Sequence, residues 1–147
     1  MSKKGMLSFV LLLLMYTVNA QFRKIPAEVT DSFKAKYENA SGVSWKDKIT
    51  SFQADFKERD KELKATFSSN GEWIKTETKL PYESLPADVK DGFKKSKFAD
   101  LSVVDILQVE EKEKETQYKI VVKKNDIAKR SLVFSKTGRL ISDNASF

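Results

Sequence analysis

The sequence contains neither cysteine nor histidine. Without cysteine there is no disulfide, no thiolate zinc site and no cysteine nucleophile. Without histidine the usual general base is missing, so neither a Ser-His-Asp triad nor an imidazole metal site can be assembled. Glycine is scarce as well, five in 147 residues. Gly42, Gly71, Gly92 and Gly138 stand apart from one another, so no phosphate loop or dinucleotide fingerprint exists. What remains is carboxylates, lysines and hydroxyls. We assign no catalytic residue, no metal ligand and no cofactor, and do not read the chain as an enzyme.

The one long apolar run sits at the start. Lys3 and Lys4 precede the stretch Met6 to Val18, and Val18-Asn19-Ala20 supplies the small residues of a cleavage site. The run is short of the roughly 20 apolar residues that span a bilayer. Residues 1–20 therefore read as a signal peptide cut after Ala20, and no cysteine stands at the cut to carry a lipid. A periplasmic or secreted protein with no stable membrane anchor after cleavage is expected. Loss of Lys3 and Lys4 takes the formal charge from +6 to +4. All three methionines leave with the leader. A cysteine-free exported domain must be held by its core alone, which suits a bacterial envelope better than a eukaryotic secretory route.

Residues 21–147 read as a single domain in which one unit is written twice. IPAEVTDSFK at 25–34 faces LPADVKDGFK at 85–94, and FSSNGEWI at 67–74 faces FSKTGRLI at 134–141. In each copy a proline at the first helical position is followed by acids that suit the positive end of a helix dipole. Ile25, Val29, Phe33 and Tyr37 recur at intervals of four, as do Leu85, Val89 and Phe93, which predicts an amphipathic helix in each copy. The remainder alternates as strands do. The first copy, 25–78, carries strands around 43–46, 51–57, 63–68 and 73–78. The second, 85–145, carries them at 102–110, 116–123, 129–135 and 139–143. The expected fold is α+β: two tandem units, each a helix followed by a four-stranded antiparallel meander, with the helix packed on the sheet's apolar face.

The two [IL]-P-A-[ED]-V-x-D-x-F-K starts and the two F-S-x-x-G-x-x-I turns make the chain resemble the PepSY-like family, also called beta-lactamase-inhibitor-like. The resemblance covers about residues 25–145. It implies one curved sheet with helices on its convex side and an exported bacterial setting. It supplies no catalytic residue and no inhibitory loop to carry over.

Other chemistry is absent or bland. Ser142-Asp143-Asn144 spells a serine acyl-transferase motif, but no nucleophile motif precedes it. The acids at Glu110, Glu111, Glu113 and Glu115 interleave with lysines, as on a solvated strand end. A mature charge of +4 with acids interspersed is weak for a nucleic-acid binder, and none is expected as a partner. The second face of the sheet is more informative. Strict alternation puts Val104, Ile106, Val121 and Val133 there, opposite a core set that includes Val103, Leu107, Val109, Ile120 and Val122. A two-layer domain needs only one apolar face, so the surplus wants a cover: the other unit, a second copy of the chain, or a partner. Trp73 and Tyr82 are the aromatic anchors expected to join that surface. The function expected is a non-catalytic exported binding protein, one version being an inhibitor or modulator of an envelope protein. The alternative is a soluble binder of a small molecule or an anionic envelope polymer.

Overall fold

The computed structural model describes residues 23–146. The leader assigned to residues 1–20 lies outside the described residues. Helix α1 (Ala27–Lys36) precedes strands β1 (Ser41–Asp47), β2 (Ser51–Glu58), β3 (Lys61–Ser68) and β4 (Trp73–Lys79). A short 3-10 turn at Tyr82–Ser84 leads into α2 (Ala87–Lys95). Strands β5 (Ser102–Glu111), β6 (Gln117–Lys123), β7 (Lys129–Ser135) and β8 (Leu140–Ser146) follow. All eight strands form one antiparallel meander in chain order. The fold is thus α+β with a single open sheet. The two four-stranded meanders expected are one continuous meander, in which β4 pairs with β5, Lys75 opposite Glu111 and Lys79 opposite Leu107.

Pro26 and Pro86 stand just ahead of the helices, one position earlier than expected. Their carbonyls accept the first helical N–H groups, from Val29 and Thr30 in α1 and from Lys90 in α2. Each helix buries one stripe, Val29 and Phe33 in α1, Val89 and Phe93 in α2. Both helices lie on the same face of the sheet, over two separate apolar clusters. The first gathers Val29, Phe33, Tyr37, Phe52, Phe56 and Phe67, and the second Val89, Phe93, Ile106, Ile120, Leu132 and Phe134. Phe33 sits edge-on to Trp45, Phe56 and Phe67, with centroids 5.2, 5.0 and 6.3 Å away. Aromatic rings favour such tilted contacts over face-to-face stacking.

The clusters are separate because the seam between them is polar on the helix side. There Thr76 faces Glu110 and Thr78 faces Gln108. Thr76 is buried and satisfied: it accepts from Trp73 Nε1 at 2.9 Å and shares a hydrogen bond with the Tyr37 hydroxyl. Burial pushes the Tyr37 hydroxyl pKa up, while the Thr76 bond opposes it. The β3–β4 and β7–β8 turns each touch a helix through a glycine. Gly71 lies against the carbonyl of Glu28, and Gly138 against that of Asp88.

Candidate functional site

The face away from the helices is the candidate site, and register decides what stands on it. Side chains directly opposite one another on neighbouring strands share a face. Ile120 and Leu132 are buried under α2, so Val121 and Val133 point the other way, as expected. In β5 the alternation is broken. Val103 pairs with Val122 and Asp105 with Val121, which leaves Val104 as the extra residue of a β-bulge. Beyond the bulge every side chain changes face. Ile106, expected on the open face, is 3% exposed in the core beneath α2. Leu107 and Val109, expected in the core, stand on the open face instead. Val104 is 44% exposed at the bulge and belongs to neither layer.

The two aromatic anchors are also displaced from the open face. Trp73 pairs with Phe67 on the helix side and packs on the first cluster, with the Lys36 ammonium 4.2 Å from its ring. Tyr82 lies in the linker turn and packs on the second cluster. Their amphipathic rings made them natural interface candidates, but the core needed their apolar bodies. Of the six residues singled out, Val121 and Val133 are brought together on the open face. Leu107 and Val109 are the residues that alternation missed. Local sequence pointed the other way: polar Gln108 and Glu110 alternate with Leu107 and Val109, yet they stand on the helix side, at the polar seam with Thr78 and Thr76.

Leu107, Val109, Val121 and Val133 form a bent apolar strip on β5, β6 and β7 around Lys119, which stands directly between Leu107 and Val133; Leu107, Val121 and Val133 are half-buried and Val109 is only 7% exposed. Beside it runs a charged row. Lys119 starts opposite Leu107 on β6 and donates across β5 to Glu77 Oε1 on β4, 2.8 Å away. Its aliphatic stem thereby passes over the strip, and Glu77, opposite Val109, is left 8% exposed. Burial works to raise the Glu77 pKa, but the Lys119 hydrogen bond and the charges of Lys119, Lys75 and Lys64 outweigh it and hold the carboxyl below its ordinary value. Next to this row, Asp55, Lys57, Glu62, Lys64, Lys79 and Asp105 surround a depression of about 300 Å³.

The depressed carboxyl sets a pH dependence. A group whose folded pKa is lowered stabilises the fold above its unfolded value, and that stability is lost as pH falls through the folded value. Glu77→Gln is therefore expected to cost about 1.5–3 kcal/mol at pH 7, the range for a hydrogen bond to a charged group. The difference from the parent protein should shrink as pH falls below about 4. Urea unfolding at pH 7 and pH 3.5 measures both, and an unchanged gap would show that Glu77 carries no such linkage.

A family model described as "Putative beta-lactamase-inhibitor-like, PepSY-like" matches residues 50–142. The chain belongs to this family. It is similar to a BLIP-like protein from Bacteroides fragilis, at 27% identity and a TM-score of 0.77, over 85% of this chain and 89% of that one. A DUF2874 family protein from Bacteroides ovatus is similar at 25% identity and a TM-score of 0.79, over 84% and 89% of the two chains. A third structure, named among "putative periplasmic proteins" of Bacteroides eggerthii, matches at 25% identity and 0.78, over 83% and 89%. A comparison with curated proteins returns no match. The PepSY-like setting agrees with the resemblance carried by the repeated helix starts and glycine turns. Among the described residues, no helix is long and apolar enough to cross a membrane.

Proposed function

We propose that the chain is an exported, non-catalytic binding protein that holds a protein or peptide on the open face of its sheet. The observation that carries this reading is the strip Leu107, Val109, Val121 and Val133. It is an apolar stripe on the face without helices, bordered by a desolvated ion pair. Apolar side chains rimmed by charge are what interaction sites present. The family description and the BLIP-like neighbour favour an inhibitor or modulator of an envelope protein as the specific form. The neighbour named periplasmic supports export, in line with a leader cut after Ala20.

We also read the domain as repeat 1 (25–78) and repeat 2 (85–145), fused at β4 and β5. Two helices, two apolar clusters and two glycine turns, each set against a helix carbonyl, support that reading.

A photo-crosslinking amino acid placed at Val133, and separately at Leu107, tests the binding face. In envelope extract of the producing organism, both positions should capture the same polypeptide. The same probe at Ile127, in the β6–β7 hairpin, should not. Equal capture at all three positions, or none at Val133 and Leu107, would remove the open face as the binding surface.

A further inference from the structure

Resting on the open-face reading, we infer that the partner is an acidic protein segment in extended conformation, which sets an apolar side chain on the strip and carboxylates on Lys57 and Lys64. The charge count carries this. The open face, β1 to β8, presents eight lysines against five carboxylates, a surplus of three. Most of the mature +4 is therefore on one side of the sheet. Five of those lysines have a carboxylate within 4 Å, at distances from 2.5 to 3.9 Å. Lys57, Lys64 and Lys129 have none within 4 Å among the described residues, though Lys64 stands between Asp55 and Glu77 and Lys57 opposite Glu62, and all three are exposed.

Their positions set a spacing. Lys64 lies opposite Glu77, and Glu77 opposite Val109. Two strand spacings of about 4.8 Å place Lys64 roughly 10 Å from Val109. Lys57 faces Glu62, whose row continues to Lys79 and Leu107, three spacings or roughly 14 Å. An extended chain covers 10–14 Å in about three to four residues. The matching segment carries Asp or Glu three to four residues from a Leu, Ile, Val or aromatic side chain. A purely anionic polymer matches less well, because it gains nothing from the strip and meets Glu77 and Asp105. The lysine surplus also opposes a second copy laid face to face.

A random 12-residue peptide library displayed on phage is the probe, with dextran sulfate as a polyanion lacking apolar groups. The expected result is enrichment of peptides with acid and apolar residues at that spacing. Their affinity should fall at least tenfold on Lys57→Glu with Lys64→Glu, and also on Leu107→Asp. Val121→Lys serves as a second strip variant, and a thermal melt identifies any variant that fails to fold. Peptides lost on Leu107→Asp but carrying no acidic bias overturn the acidic partner and leave the open face standing. Peptides indifferent to both strip variants overturn the open face itself. Dextran sulfate that displaces the peptides, and binds equally to Leu107→Asp, assigns the surface to a polyanion and overturns the inference. A dimer in sedimentation that Leu107→Asp abolishes does the same in favour of a second copy.

Discussion

Phe33→Ala is expected to cost about 3–5 kcal/mol, the range for truncating a buried phenylalanine. Phe33 is 5% exposed and is the ring on which the first cluster converges, touching Tyr37, Trp45, Phe56 and Phe67. Its loss removes apolar burial and leaves a space that surrounding rings can only partly fill. Phe93 is the matching residue under α2, equally buried, but its one close ring partner is Phe134 at 6.5 Å. Its neighbours are mainly aliphatic and adjust more easily, so Phe93→Ala should fall nearer the lower end of the same range. Chemical unfolding of the two variants measures both. A loss under 1 kcal/mol at Phe33 would mean that α1 is not fastened to the sheet through this ring.

The second large effect is expected at Gly138. This residue has φ +80, and a Cβ built on it would lie 2.0 Å from the Asp88 carbonyl oxygen. Two costs combine there. Left-handed backbone costs an L-residue about 1–2 kcal/mol. Forcing the β7–β8 turn away from α2 adds about 1–3 kcal/mol, as for overpacking elsewhere. Gly138→Ala should therefore destabilise by about 2–5 kcal/mol. Two other glycines separate the contributions. Gly42 has φ +60 with nothing within 4 Å of a Cβ, so Gly42→Ala reports the backbone cost alone. Gly92 is inside α2, and its Cβ would meet the Gly138 carbonyl oxygen at 2.0 Å, so Gly92→Ala reports the steric cost less the roughly 1 kcal/mol of helix propensity that alanine gains. Should Gly138→Ala prove no worse than Gly42→Ala, the close seating of turn on helix is not a stabilising contact.

The same contact explains a difference between the halves. Ser32 occupies in α1 the place that Gly92 holds in α2. It is tolerated because Gly71 stands farther from its helix, with a Cβ position 2.6 Å from the Glu28 carbonyl rather than 2.0 Å. A turn seated more closely leaves no room for a side chain on the helix opposite.

The site was legible in part, and the failures share a cause. Val121 and Val133 follow from period-two alternation because β6 and β7 pair without interruption from Gln117–Ser135 to Lys123–Lys129. Ile106, Leu107 and Val109 do not, because a bulge at Val104 shifts their parity by one. A bulge is set by how β5 pairs with β6, not by composition within β5. Trp73 and Tyr82 failed differently. An amphipathic ring suits a core edge or an interface equally well, and only the position of α1 over Trp73, and of the second cluster beside Tyr82, decides between them.

By itself the sequence determined the chemistry that cannot occur here, the two helices with their buried stripes, the eight strands to within three residues, and the glycine turns. Each of these rests on residue identity or on a short local period. Tertiary structure alone decided that the seam between β4 and β5 is polar on the helix side, that Leu107 and Val109 rather than Ile106 stand on the face away from the helices, and that Lys119 reaches over them to a buried Glu77. Those outcomes depend on pairing between distant strands, where a single extra residue reverses which side of a strand meets the core.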